Sequence, residues 1–132
     1  MRKHIRYISD LPIHYDLYDV FSDKKEYLNN IGTGGLSFRS SIFIESGMLI
    51  SICIQFVKPV DGIVVWCKRI EDHFDVGVKF LDISGEFKVR MVDMVCYVEH
   101  YKKEVFNNEG RKLSGEEAAL EWNKKYAKDF PS

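Results

Sequence analysis

The sequence predicts a mainly β domain, built as an antiparallel barrel or sandwich and followed by two α-helices. The stretch ISICIQF at residues 50–56 alternates apolar and polar residues, as a strand with one buried face does. Several short segments of this kind lie between residues 13 and 82 with no helical pattern between them, which favours antiparallel pairing. After residue 82 the apolar residues recur every three or four positions, which is the period of a helix.

The candidate strands are short and rich in β-branched and aromatic residues. Turn signals separate them, among them GTGG at residues 32–35, ESG at 45–47 and KPVDG at 58–62. In chain order the six candidates are IHYDLYDV (13–20), KEYLNN (25–30), GLSFRSSIFI (35–44), ISICIQF (50–56), GIVVWCKRI (62–70) and FDVGVKFLD (74–82).

Two helices are predicted after the strands. The first ends near NNEG at residues 107–110, and its apolar stripe comprises Phe87, Met91, Met94, Val95, Val98, Tyr101 and Val105. The second begins at Ser114, since Ser114 and Glu117 have the spacing of a capping box. Its stripe is expected to pack on the barrel or on the first helix, with a partner surface as the alternative; the stripe comprises Ala118, Ala119, Trp122, Tyr126 and Phe130.

Composition limits the function classes. A chain of 132 residues suits one domain, and its net charge of −1 gives no global attraction to nucleic acid or to an acidic membrane. The charged N-terminus MRKHIRY lacks the apolar segment of a signal peptide, and no stretch approaches the length of a membrane span. Three cysteines without metal-ligand spacing, Cys53, Cys67 and Cys96, are interpreted as buried, reduced thiols. We therefore expect a cytoplasmic protein without a metal site.

The stretch NNIGTGGLSF at residues 29–38 places three glycines within four positions. Such a loop is a hairpin turn, or backbone exposed to approach a ligand, or both. Near the N-terminus, Arg2, Lys3 and Arg6 form the clearest cationic cluster. Guanidinium groups match phosphate oxygens and the O6/N7 edge of guanine through paired donors, although a solvated basic terminus would have the same composition.

Four motifs in order resemble the PilZ domain family, whose members are receptors for cyclic di-GMP. The family has an RxxxR arm, which matches Arg2-Lys-His-Ile-Arg6, and then a (D/N)xSxxG loop, which matches at Asn30 and Gly35. Farther on, residues 62–66 (GIVVW) are similar to its G-x-V-x-W strand and residues 77–80 (GVKF) to its G-V-x-F strand. The resemblance covers about residues 1 to 100.

The resemblance implies a six-stranded antiparallel PilZ-type β-barrel with a C-terminal extension of two α-helices, in one domain of residues 1–132. Residues 1–9 would be the ligand-binding arm, 10–84 the barrel and 85–132 the helical extension. The implied cyclic di-GMP-binding residues are Arg2, Lys3, Arg6, Asn30, Gly32, Gly35 and Trp66. On periodicity alone, Trp66 would instead be a core residue.

One position departs from the family pattern. The loop serine is Gly32 here, and glycine cannot supply the hydroxyl that contributes a hydrogen bond at the ligand site. Losing a hydrogen bond to a charged ligand costs roughly 1.5–3 kcal/mol. We therefore expect binding that is weaker than the family pattern would give, with exposed amides at Thr33 and Gly34 as a partial substitute.

The resemblance implies a cytoplasmic cyclic di-GMP-binding adaptor that relays the signal to an unidentified effector protein in motility, adhesion, biofilm or exopolysaccharide control. The alternative is a PilZ interaction protein that binds no nucleotide, for example in type IV pilus assembly. Neither a G-x-S-x-G motif nor a supported Cys/His pair occurs, so we expect no enzymatic activity. No cofactor, nucleic acid polymer or membrane insertion is expected.

Overall fold

The computed structural model of the chain describes residues 6–17, 20–55, 59–81 and 84–126. Within these ranges the chain forms seven strands and two helices. They are β1 (Tyr7–Ile8), β2 (Pro12–Leu17), β3 (Val20–Ile31), β4 (Gly35–Ser40), β5 (Leu49–Ile54), β6 (Val60–Ile70), β7 (His73–Phe80), α1 (Gly85–Glu109) and α2 (Gly115–Tyr126).

Strands β2 to β7 form a closed antiparallel barrel. The strand order is β1-β3-β2-β5-β6-β7-β4, and a further pairing of β3 with β4 closes the sheet. The short β1 is an additional strand that pairs with the end of β3. The prediction of a mainly β, six-stranded barrel followed by two helices is confirmed. The six predicted strands correspond to β2–β7, while β1 was not predicted because two residues carry no readable alternation.

The barrel interior is filled by the inward residues of every strand. In β5, Ile50, Ile52 and Ile54 are almost completely buried, as their alternation predicted. The fully buried side chains with the largest volumes include Leu11, Ile13, Leu28, Ile31, Leu36, Phe38, Val64 and Val76. They make one continuous apolar core, so the outward residues between them are the ones left for binding.

The predicted end of α1 and the predicted start of α2 are confirmed. The side chain of Ser84 caps α1, and Gly110, with a φ of 71°, ends it in the left-handed conformation that glycine adopts readily. At the start of α2 the Glu117 amide donates to Ser114 Oγ at 3.1 Å, while the Ser114 amide donates to Glu117 Oε1 at 2.9 Å. The predicted capping box is therefore present.

Helix α2 packs against α1. Trp122 stacks on Tyr97 with ring centroids 6.4 Å apart, and Tyr126 meets Tyr101 edge-on at 6.5 Å. Ala118 and Ala119 are fully buried, so the predicted stripe does pack on the first helix. Its last member, Phe130, lies outside the described residues.

The interpretation of the cysteines as buried was wrong. Cys53 is exposed, and Cys67 and Cys96 are half-buried; all three are free thiols. Cys53 alternates with the buried isoleucines of β5, so the same period that buries Ile52 turns Cys53 outward.

Candidate ligand-binding site

The glycine loop is the tight turn between β3 and β4. The amide of Gly32 donates to the carbonyl of Gly35 at 2.9 Å, and the amide of Phe80 donates to the carbonyl of Gly34 at 3.1 Å. A side chain at Gly35 would overlap the backbone carbonyl of Val78 in β7. Glycine is required at position 35 because two strands approach each other there, and the loop is thereby fixed against β7.

Arg6, which precedes β1 and is the first described residue, contacts this loop. Arg6 Nη1 donates to the Gly35 carbonyl at 2.7 Å, although the two residues are 29 positions apart in sequence. The following strand β1 holds the arm in place, since Ile8 pairs with Asn30 in β3. The guanidinium of Arg6 therefore lies at the loop in the ligand-free chain.

An outward-facing row of cross-strand neighbours runs across four strands beside the loop, with Trp66 exposed, Asn30 half-buried, and Ser37 and Gly77 buried. Asn30 in β3 pairs with Ser37 in β4, Ser37 with Gly77 in β7, and Gly77 with Trp66 in β6. Three strand spacings separate the two ends of the row, or roughly 14 Å along the sheet. A flat ligand of dinucleotide size can span that distance from the arm to the indole.

Trp66 lies on the surface and not in the core. Its side chain is 37% exposed, and its indole occupies the space that a side chain at Gly77 would fill. The register of β6 shifts between Val64 and Trp66, which turns Trp66 outward while Val64 stays inward. The ammonium of Lys68 lies 5.4 Å from the ring centroid, so the indole is flanked by a cation.

Asn30 carries an unused acceptor. Its Oδ1 is buried and has no hydrogen-bond partner among the described residues. A buried polar atom without a partner costs roughly 1–3 kcal/mol, and a ligand N–H would recover it once the Asn30 side chain turns towards the ligand. The neighbouring Asn29 is tied down, because its amide donates to Asp75 Oδ1 at 3.1 Å.

A short polar network extends from Asn29 along the outer face of the barrel. His73 Nε2 lies 3.4 Å from Asp75 Oδ1, and His73 Nδ1 lies 3.4 Å from Asp72 Oδ1. The hydrogen bond with His73 holds the pKa of Asp72 below its ordinary value, with Arg39 3.9 Å away as a weaker contribution. This network anchors the end of β3 that carries Asn30.

The structure brings most of the predicted site residues to one surface. Arg6, Gly32 and Gly35 meet at the turn, and Asn30 and Trp66 lie on the outward row beside it. Arg2 and Lys3 fall outside the described residues, and the ligand-binding role of all seven predicted residues stays a prediction. Sequence reasoning missed Ser37, Asn29 and Asp75. The alternation of β4 would have turned Ser37 outward, but only the strand register brings Asp75 to Asn29.

Metal and membrane features are absent from the part of the chain that the structure describes. No three histidine, cysteine, aspartate or glutamate side chains among those residues come together as a metal site. Neither α1 nor α2 has both the length and the apolar content that a membrane-spanning helix needs.

The fold and the site together define a small β-barrel domain with an arginine-bearing N-terminal arm held against its surface. The chain belongs to the PilZ domain family, whose family model matches residues 1–96. The match ends within α1, so it covers the arm, the loop, all seven strands and the first turns of that helix. No curated protein sequence is significantly similar to this chain.

Solved structures with the same fold are similar at low identity. The PilZ domain of YcgR from Escherichia coli, solved with c-di-GMP, is 13% identical with a TM-score of 0.64; the match covers 81% of this chain and 98% of that one. The inhibitor of motility MotI/DgrA from Bacillus subtilis is 12% identical with a TM-score of 0.60, covering 76% and 52%. The MrkH–c-di-GMP complex from K. pneumonia is 12% identical with a TM-score of 0.59, covering 79% and 55%. This chain thus spans about half the length of MotI/DgrA and MrkH.

Proposed function

We propose that this protein is a cytoplasmic receptor for cyclic di-GMP that passes the signal to a protein partner. The observation that carries the proposal is the position of Arg6, whose guanidinium lies 2.7 Å from the Gly35 carbonyl, at the loop that follows Asn30. Among the described residues, Oδ1 of Asn30 has no hydrogen-bond partner. Family membership supports the choice of ligand, as do the titles of the YcgR and MrkH structures, which name c-di-GMP.

Each part of the surface matches one part of this ligand. Cyclic di-GMP carries two phosphates and two guanines, and a guanidinium donates in pairs to phosphate oxygens or to the O6/N7 edge of guanine. The N1–H and N2–H groups of guanine are donors that suit Asn30 Oδ1. The partly exposed indole of Trp66 offers a face on which a base can stack, and stacking contributes about 1–3 kcal/mol for each base.

Binding, and not catalysis, is the proposed activity. The polar groups of the surface are an arginine, amides and a network of histidine with aspartates that is engaged with the barrel itself. The proposed relay begins with ordering of the arm over the ligand, which creates a surface that a partner can recognise. Motility, adhesion, biofilm formation and exopolysaccharide production are the processes in which we expect the partner.

Isothermal titration of the chain with cyclic di-GMP tests the proposal. We expect a dissociation constant near the micromolar range, which corresponds to about −8 kcal/mol. Cyclic di-AMP is the matched control, since adenine lacks the O6 acceptor and the N1–H and N2–H donors, and it should bind at least tenfold more weakly. Absence of detectable heat at a millimolar excess of cyclic di-GMP would refute the proposal.

The second candidate is a PilZ interaction protein that binds no nucleotide, for example in type IV pilus assembly. The observation that favours it is Gly32, which has no hydroxyl where the family loop has serine. Retention of Arg6 at the loop argues the other way. The same titration separates the two candidates, because this one requires no heat of binding with either nucleotide.

A further inference from the structure

A groove lies far in sequence from the nucleotide loop, where the two helices meet the segment between β1 and β2. It has a volume of about 700 Å³, which is within the usual range for binding sites. The second half of α1, the start of α2 and the residue that follows β1 line it. The lining residues that matter here are Asp10, Lys102, Lys103, Phe106, Lys112 and Glu117.

Both carboxylates of the groove are engaged inside the protein. Asp10 Oδ1 accepts from Lys102 Nζ at 3.0 Å, and Asp10 Oδ2 accepts from the Gly115 amide at 3.4 Å. Partial burial is the largest single influence on the pKa of Lys102 and acts to lower it, but Asp10 and Glu99 together outweigh burial and leave that pKa raised. Glu117 accepts the Ser114 amide in the capping box. Lys102 therefore offsets the charge of Asp10, while Glu117, whose partner is a neutral amide, keeps its negative charge in the groove.

The remaining charge of the groove is positive. Lys103 and Lys112 are exposed and have no carboxylate partner among the described residues. The amino end of α2 opens beside them, but Glu116 and Glu117 in its first turn offset the positive end of the helix dipole, so the lysines carry the positive charge of the groove. An anion entering the groove therefore meets two unpaired ammonium groups.

The same groove has an apolar wall. Phe106 is 55% exposed, although it is a large aromatic side chain on a helix whose inner face is otherwise well buried. Leu113, half-buried in the connection between the helices, lies on the lining as well. Aromatic side chains in such settings are common anchors of protein interfaces, where they contribute most of the binding energy.

We propose that this groove binds an acidic segment of a partner protein, with the carboxylates of that segment on Lys103 and Lys112 and one of its apolar side chains against Phe106. Charge complementarity selects this occupant, because a basic segment would meet unpaired lysines and a wholly apolar one would leave them without partners. This inference rests on the proposed function as an adaptor, and it names the chemistry of the partner protein that the adaptor would bind. The groove itself uses none of the nucleotide-site residues.

Selection of 12-residue peptides from a random phage-displayed library on the full chain tests the proposal. We expect the enriched peptides to be rich in aspartate and glutamate and to contain a phenylalanine, tryptophan or leucine. The best of them, labelled with fluorescein, is then titrated by anisotropy against wild type, Lys103→Glu and Lys112→Glu. Lys124→Glu is the matched control, since it makes the same charge change at an exposed α2 position outside the groove lining.

Affinity for the labelled peptide should fall at least tenfold in Lys103→Glu and in Lys112→Glu and should stay within twofold of wild type in Lys124→Glu. Phe106→Ser, which removes the apolar wall without altering charge, should also weaken binding. Enrichment of peptides without acidic residues, no enrichment at all, or equal affinity for all variants would overturn the proposal.

The two proposals fail separately. The affinity of Lys103→Glu for cyclic di-GMP should match that of wild type, because no contact among the described residues joins Lys103 to Arg6 or to the loop. If wild type binds the acidic peptide in the groove but no cyclic di-GMP, the nucleotide proposal falls and the groove proposal stands. If wild type binds cyclic di-GMP but selects no acidic peptide, the groove proposal falls and the nucleotide proposal stands.

Discussion

The indole of Trp66 lies over Gly77, on the neighbouring strand and in register with it, in the space that any side chain at position 77 would need. The two residues belong to separate motifs of the chain, Gly62-x-Val-x-Trp66 and Gly77-Val-x-Phe80. The glycine at position 77 explains the position of Trp66, because a flat indole can lie against β7 only where that strand has no side chain. This contact sets the orientation of the aromatic end of the candidate site.

Gly77→Ala should therefore displace the indole. We expect a loss of stability of about 1–3 kcal/mol, which is typical of forcing extra volume into a packed site. Affinity for cyclic di-GMP should fall as well, because the stacking face moves. Urea denaturation followed by Trp fluorescence measures the change in stability, and isothermal titration measures the change in affinity.

Gly34→Ala is the control: a Cβ there meets no atom within 4 Å, so stability should change by less than about 0.5 kcal/mol. Equal behaviour of the two variants would contradict the assigned contact.

Gly32→Ser restores the hydroxyl of the family loop and should tighten cyclic di-GMP binding roughly tenfold, as expected for one hydrogen bond to a charged ligand. Among the described glycines, left-handed φ values occur at Gly47 and Gly110 and not at Gly32, so serine meets no left-handed φ penalty there; because Gly32 is buried, its neighbours must make room for the side chain. Titration of the variant beside wild type measures the change. Gly34→Ser, at the exposed tip of the same turn, is the control. Unchanged affinity in Gly32→Ser would mean that position 32 does not face the ligand.

Arg6→Ala should weaken cyclic di-GMP binding more than Lys3→Ala does. The guanidinium of Arg6 is held at the loop and can donate in pairs, whereas a lysine is a point charge. Truncating one partner of a hydrogen-bonded charge pair costs roughly 2 kcal/mol or more, which is about 30-fold in affinity. Titrations of both variants at low and raised salt provide the measurement, and affinity should fall as salt screens the attraction. Small and equal losses of affinity in the two variants would show that the arm contributes only a non-specific positive charge.

The contact between α1 and α2 should loosen in acid. Arg111 donates to both oxygens of Glu121 at 2.9 and 3.2 Å, and Tyr101 donates to it at 2.8 Å. Chiefly through Arg111, these bonds lower the pKa of Glu121 from an ordinary value of 4.5 to about 2. Because the folded-state pKa is depressed, the stabilisation is complete above about pH 4.5 and is lost as the pH falls from there towards 2.

Fluorescence of Trp122, which stacks on Tyr97, should report this change in a Trp66→Phe background that leaves one tryptophan. The matched control is Glu121→Gln, which keeps the shape of the side chain but cannot titrate. Its emission should lack the part of the acid transition that Glu121 causes. Identical pH profiles for the two chains would rule out Glu121 as the titrating group.

The sequence by itself determined the secondary structure and most of the motif assignment. Alternation in residues 50–56 located one strand, β-branched and aromatic composition between turn signals located the other five, and a period of three to four located both helices. Capping chemistry gave the start of α2, because Ser114 and Glu117 satisfy each other within one turn. These signals are local: each depends on residues a few positions apart, whose geometry the backbone fixes without reference to the rest of the chain.

Tertiary structure alone decided how the site is assembled. Strict alternation from Val64 would have turned Trp66 into the core, but the register shift between the two residues in β6 turns Trp66 outward. A second register shift, between Leu28 and Asn30 in β3, leaves both Leu28 and Ile31 inward. Such bulges have no consistent sequence pattern, and one extra residue reverses every later side chain of a strand. The contact of Arg6 with Gly35 likewise spans 29 positions, so it exists only because β1 pairs with the end of β3 and the barrel closes beside it.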